Sequence, residues 1–124
     1  MIIGVGIDII EIERIKKAIT KNPKIISRIF NQEEIGLFEE ENFRPNMIAG
    51  FFAAKEATVK ALGTGIRGLQ WKDIEIKKTR EGKPLIELHN NAKNIAYSKN
   101  ITNIHISISH SKEYAVAQAI AETT

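Results

Sequence analysis

An aspartate, Asp8, sits inside the apolar run IIGVGIDII, residues 2–10. Its neighbours are isoleucine, valine and glycine, which read as a strand. A carboxylate buried in such a strand is costly unless it is paired or bound to a metal. The alternative is a half-exposed strand in which Asp8 caps the helix that follows, and position alone does not choose between them. A second carboxylate, Glu56, lies in FFAAKEATVKALGTG, residues 51–65, four residues before Lys60. On a helix the two share a face with Phe52 and Gly63. Such spacing usually makes a surface ion pair of little energetic weight. However, Met47 to Ala54 contains no polar side chain, so this helix is expected to be buried and its few charges to point at something. Gly63-Thr64-Gly65 follows directly. Glycines let backbone N–H groups approach phosphate oxygens, and Lys60 offers a point charge. The run is not a Walker motif and precedes no helix N-terminus, so alone it is weak. His110, after ISIS at a strand end, is either a plain turn residue or a group titrating near neutrality that acts as base or phosphate contact. Gly82-Lys83-Pro84 is first of all a tight turn. Taken together, Asp8, Glu56 and a nearby lysine in a chain without cysteine suit a hard, oxygen-bound divalent cation such as magnesium. That ion is usually held by one or two carboxylates plus substrate phosphates.

The elements that must position these groups follow from periodicity. After the strand at 2–10, Ile12, Ile15 and Ile19 recur at helical spacing, which predicts a helix over 11–21. Its other side carries Arg14, Lys17 and Lys21. Gly4 and Gly6 predict a bulge or a close backbone approach. Asn22-Pro23 opens a short helix through Phe30, and Asn31 with Glu34 resembles a capping box opening an acidic helix to about Glu41. Asn46 is read as the cap of a long helix, 47–62, ended by Gly63. Trp71 to Lys77 and Pro84 to Leu88 predict a hairpin, and 90–99 a helix. Ile104, Ile106 and Ile108 alternate with His105, Ser107 and Ser109, and Tyr114 to Ala121 closes the chain as a strand. The class is α+β: one compact domain over 1–124, a mostly antiparallel sheet with helices packed against it.

Composition bounds the rest. A chain of 124 residues with 43% hydrophobic and 27% charged side chains is an ordinary globular domain. The absence of cysteine excludes disulfides and thiolate chemistry. The short N-terminal apolar run lacks a basic leader, and no stretch approaches a membrane span, so a cytoplasmic protein is expected. Six basic residues and no acidic one lie between Arg14 and Arg28, and five acidic residues with no basic one between Glu33 and Glu41. These blocks are either solvated faces or surfaces with a preferred partner sign.

GIDIIEIERI, FAAKEATVKALGTGI, GKP and ISISHSKEYAVA stand in this order along essentially the whole chain. In these motifs the sequence resembles the 4'-phosphopantetheinyl transferases, in particular their short bacterial type, the holo-[acyl-carrier-protein] synthases. The resemblance implies that fold, and transfer of 4'-phosphopantetheine from coenzyme A to a serine of apo acyl carrier protein, in fatty acid biosynthesis. It implies magnesium held by Asp8 and Glu56 against the pyrophosphate and Lys60 on phosphate oxygens. Gly63 to Gly65 would lie under the phosphates, His110 beside the nucleotide and Lys83-Pro84 along the adenine pocket. Glu56 is the first candidate for the base and a water-mediated route through Asp8 the second. Arg14, with Lys17 and Lys21, would dock the acidic carrier protein. A homotrimer with active sites between subunits is also implied, with Arg44 and His110 across the interface from Asp8 and Glu56. One departure stands out: many members carry an arginine where this chain has Phe51, which leaves Arg44 to contact the 3'-phosphate and predicts a weaker or shifted coenzyme contact. The rivals are a nucleic-acid-binding module, disfavoured by 6% aromatic content and the lack of a known motif, an inactive relative on the same fold, and a transferase serving another carrier.

Overall fold

The structure is a computed structural model and describes residues 1–124. In chain order it runs β1 (Ile2–Glu11), α1 (Ile12–Lys21), α2 (Lys24–Ile29), α3 (Gln32–Glu40), α4 (Pro45–Leu62), a single 3₁₀ turn (Trp71–Asp73), β2 (Ile74–Lys78), β3 (Pro84–Leu88), α5 (Asn90–Ser98), β4 (Asn103–His110) and β5 (Tyr114–Glu122). The two ends of the chain meet. β1 and β4 both pair antiparallel with β5, giving a three-stranded sheet in the order β1-β5-β4. β2 and β3 form a separate antiparallel ribbon.

Helix α4 lies across the sheet, and small residues set how closely. Ala115, Ala117, Ala119 and Ala121 of β5 point at it and are buried, as are Ala53, Ala57 and Ala61 of the helix itself. β1 is closer still. A Cβ on Gly4 would stand 2.0 Å from the carbonyl oxygen of Ala61, and one on Gly6 would stand 1.9 Å from that of Ala57. The expected close approach holds for both glycines, and the register also shifts between Ile2 and Gly4. At the other end of α4 an aromatic cluster fills the core, with the rings of Phe30 and Phe51 at 4.8 and 5.1 Å from Phe38. Strand alternation turns the rest of β1 outward. Ile3, Val5, Ile7 and Ile9 are 40%, 55%, 60% and 63% exposed, a contiguous apolar sheet face.

Three local readings change. Helix α4 begins at Pro45 with Arg44 as its N-cap, not Asn46; proline at the first helical position needs no N–H and sets the start. Trp71 lies in the 3₁₀ turn rather than in a strand, which accounts for the imperfect alternation there. Pro23 is itself the N-cap of α2. The capping box of Asn31 and Glu34 is present as expected, with Glu34 N–H donating to Asn31 Oδ1 at 2.9 Å and Asn31 N–H to Glu34 Oε1 at 3.0 Å.

Candidate active site

Asp8 is not a helix cap: α1 is preceded by Glu11 and has no side-chain cap. The same alternation that exposes Ile7 and Ile9 turns Asp8 toward α4, where its side chain is 16% exposed. There it meets Lys60, whose Nζ donates to Asp8 Oδ1 at 3.3 Å and to the Ile7 carbonyl at 2.9 Å. The lysine that spacing grouped with Glu56 is thus tied to β1. Two of its three N–H donors are used. Asp8 and Glu56 line one hollow together with Ile10, Arg14, Phe52 and Tyr114. Burial holds the Glu56 carboxyl above the usual glutamate range, the Asp8 carboxylate pushes it further up, and Lys60 works against both. The hollow thus holds two carboxylates beside one half-exposed lysine, oxygen donors of the kind that suit a hard divalent cation.

This electrostatic coupling is directly measurable. In metal-free protein, Asp8→Asn removes a like charge and lowers the Glu56 pKa, whereas Lys60→Met removes an opposite charge and raises it. Carboxyl carbon NMR titration reads both shifts, and a Glu56 titration indifferent to either change would show that the groups do not share a hollow.

A second hollow, of about 220 Å³, opens at the N-terminal end of α4. Arg44, Lys78 and His110 line it, with Asn46, Met47, Gly50, Phe51, Gly82, Pro84 and Ile108, and no acidic side chain is among them. Its charge suits an anion. Phe51, the residue at the departing position, is 1% exposed, and Lys78 Nζ stands 5.7 Å above its ring. A cation is therefore present beside this position without an arginine. Lys78 went unremarked in the sequence, where two adjacent lysines on a strand look like solvated surface; the pairing of Lys78 with Pro84 across the ribbon brings it to the hollow.

Other expected residues fall outside both hollows. Lys83 sits in the turn between β2 and β3 and lines neither, while its neighbour Pro84 does. Gly63 and Gly65 line neither as well. They adopt φ of +78° and +65°, and Gly63 is the left-handed residue that ends α4. Beside it, Lys99 Nζ donates to the Leu62 carbonyl at 2.5 Å. Arg14 reaches the Asp8–Glu56 hollow, whereas Lys17 and Lys21 lie exposed further along α1. A separate cluster of metal-ligating side chains, Glu75, Glu87 and His89, lies on the ribbon and includes neither Asp8 nor Glu56. Its groups already have partners: His89 Nε2 is 2.8 Å from Glu75 Oε1, and Lys77 pairs with Glu87.

The two hollows use different faces of α4, residues 47, 50 and 51 for one and 52 and 56 for the other. A model of the 4'-phosphopantetheinyl transferase superfamily matches residues 4–119 of the chain. The chain belongs to this superfamily. Among curated relatives, the holo-[acyl-carrier-protein] synthase of Alkaliphilus metalliredigens is 65% identical over 121 residues, covering 98% of this chain and 99% of that one. Among solved structures, a holo-(acyl-carrier-protein) synthase from Bacillus anthracis in complex with CoA (3',5'-ADP) is similar with a TM-score of 0.82 and 38% identity, over 100% of this chain and 99% of that one. The holo-[acyl-carrier-protein] synthase of Neisseria meningitidis matches with a TM-score of 0.91 and 33% identity, over 99% and 100% of the two chains. As a phosphopantetheinyl transferase the chain is an enzyme, and no helix in it is long and apolar enough to cross a membrane.

Proposed function

We propose that this transferase moves 4'-phosphopantetheine from coenzyme A to the serine hydroxyl of an apo acyl carrier protein, releasing adenosine 3',5'-bisphosphate, as a cytoplasmic step of fatty acid biosynthesis. The observation that carries this is the pair of hollows, one built for a cation and one for an anion, in a chain that matches holo-[acyl-carrier-protein] synthases over nearly its full length.

Phosphoryl transfer depends on positioning and charge neutralisation more than on covalent chemistry from the protein. Asp8 and Glu56 would hold magnesium, which when bound neutralises the pyrophosphate. Lys60, tethered by two bonds to β1, keeps one N–H donor for a phosphate oxygen. Glu56, directly or through a water, accepts the proton of the carrier serine. The serine oxygen then forms a bond to the β-phosphorus while the bond to the bridging oxygen breaks, and the bisphosphate leaves with that oxygen. Arg44, Lys78 and His110 hold the nucleotide end, with Pro84 against the base. Arg14 sits where carrier and reacting phosphate meet, and Lys17 and Lys21 extend its positive stripe toward an acidic carrier. Complementary charge of this kind speeds encounter and sets orientation.

Because the two hollows lie on different faces of α4, one coenzyme is served best by the Asp8–Glu56 hollow of one subunit and the Arg44–His110 hollow of its neighbour. The exposed face of Ile3, Val5, Ile7 and Ile9 is an apolar surface of the kind that copies of a chain cover. A homotrimer satisfies both. Val5→Lys with Ile7→Lys is expected to give a folded monomer by sedimentation with at least about a hundredfold less transfer, the scale of loss that misplaced reacting groups produce. A fully active monomer would overturn the assembly. The function itself is tested by incubating the protein with apo carrier, coenzyme A and magnesium and weighing the carrier. A gain of one phosphopantetheine, abolished by chelator, is expected; no gain with any carrier would leave a binding protein on this fold.

A further inference from the structure

The ion pair of Lys55 and Glu34 takes no part in the chemistry above, yet both side chains are 0% exposed. Lys55 Nζ donates to Glu34 Oε1 at 2.9 Å, to the Trp71 carbonyl at 2.9 Å and to the Ile74 carbonyl at 2.6 Å. Three acceptors use all three donors of an ammonium group, so the lysine is charged. Glu34 accepts from Lys55 and the Asn31 N–H on Oε1 and from the Ile76 N–H on Oε2. Every partner is a donor, as a carboxylate requires. Burial pulls Lys55 down and Glu34 up toward neutrality, and their mutual attraction works against it. A buried pair of this kind is often no more stabilising than well-packed apolar side chains of the same volume. Stability alone therefore does not account for it.

Apart from the Asn31 cap, the pair's bonds beyond itself run to one place. The Trp71 carbonyl, the Ile74 carbonyl and the Ile76 N–H all belong to the 3₁₀ turn and the first half of β2. The β2–β3 ribbon shares no strand pairing with the main sheet, and a lone two-stranded hairpin has little stability of its own. Its far end supplies Lys78, Gly82 and Pro84 to the anion hollow, facing Arg44, Asn46 and His110. A shift at the root of β2 moves that wall.

We propose that Lys55 and Glu34 are positioning residues that clamp the root of the ribbon to α4 and thereby set the width of the Arg44–Lys78–His110 hollow for the nucleotide end of coenzyme A. The inference rests on the function proposed above. Lys55 adjoins Glu56 in sequence, but consecutive helical side chains point about 100° apart. The clamp therefore acts on the nucleotide wall and leaves the Asp8–Glu56 carboxylates in place.

Glu34→Gln and Lys55→Met in the full chain test this by calorimetric binding of adenosine 3',5'-bisphosphate, steady-state kinetics and hydrogen exchange. Expected are about tenfold weaker bisphosphate binding and a matching rise in KM for coenzyme A, below the hundredfold that a 1 Å misplacement can cause. The kcat at saturating coenzyme, the KM for carrier and the magnesium midpoint stay within about twofold, and the amides of β2 and β3 exchange faster. Unchanged bisphosphate affinity despite faster ribbon exchange overturns the proposal. So does a fall in kcat at constant KM, which would assign the pair to Glu56. Outright unfolding of both variants, the near-isosteric Glu34→Gln included, overturns it too, since the pair would then hold the core rather than the ribbon. A wild-type chain that binds neither coenzyme A nor the bisphosphate fails differently: it sinks the parent function before any variant is compared.

Discussion

Asp8→Asn and Glu56→Gln each lower phosphopantetheine transfer on the order of a thousandfold, the upper range for losing one preorganised electrostatic group at a reacting centre. The two carboxylates line one hollow, and Asp8 raises the Glu56 pKa, so removing either one halves the fixed negative charge of the proposed cation site. Folding does not suffer in proportion. The Asp8–Lys60 contact is 3.3 Å long with the lysine half exposed, which makes it a weak contributor to stability, and deleting either carboxylate relieves repulsion. Melting temperatures are therefore expected to stay within about 3 °C of the parent, less than 1 kcal/mol for a chain of this size. The signature is activity lost with stability kept, with partial recovery of Asp8→Asn at high magnesium. Either variant retaining more than about a tenth of the parent rate, against the loss expected on electrostatic grounds, would remove these residues from the reacting centre.

Gly6→Ala has the opposite signature. A Cβ there would lie 1.9 Å from the Ala57 carbonyl oxygen, a backbone atom that cannot turn aside. Either β1 lifts from α4 or the helix bends, at a cost of about 3 kcal/mol, the upper end for overpacking. That is roughly a 10 °C fall in melting temperature. Because Asp8 is two residues further along the same strand, lifting β1 also draws Asp8 and the Ile7 carbonyl from Lys60, so transfer falls with stability. Gly36→Ala is the control. Nothing lies within 4 Å of its Cβ and it sits inside α3, where exchanging glycine for alanine adds about 0.5–1 kcal/mol. Denaturant unfolding of the two variants decides the matter: equal stabilities would mean that β1 and α4 are not flush.

Local pattern carried much of this. The alternation of Ile104, Ile106 and Ile108, the spacing of Ile12, Ile15 and Ile19, and the Asn31–Glu34 capping box all describe elements that the structure contains. Each depends on side chains a few residues apart, and the chain's own geometry relates those. The suspicion that Asp8 and Glu56 serve one purpose came from residue type alone, and the resemblance to the transferases supplied the reaction.

Tertiary packing decided the rest. Spacing paired Lys60 with Glu56, whereas the fold pairs it with Asp8, because the glycines of β1 let the strand come within reach of the helix. Spacing read Glu34 as a capping residue, which it is, but its second oxygen and its bond to Lys55 span 42 and 21 residues. Lys83 lines neither hollow, whereas strand pairing brings Lys78, which no local spacing marks, to the one that Arg44 and His110 line. A sequence thus determines which residues share a strand or a helical face, since covalent geometry repeats every two or 3.6 residues. Which faces then meet depends on side-chain volume and close packing between segments far apart in the chain, and in this protein the absence of a Cβ at Gly4 and Gly6 and the reach of Lys55 make those choices.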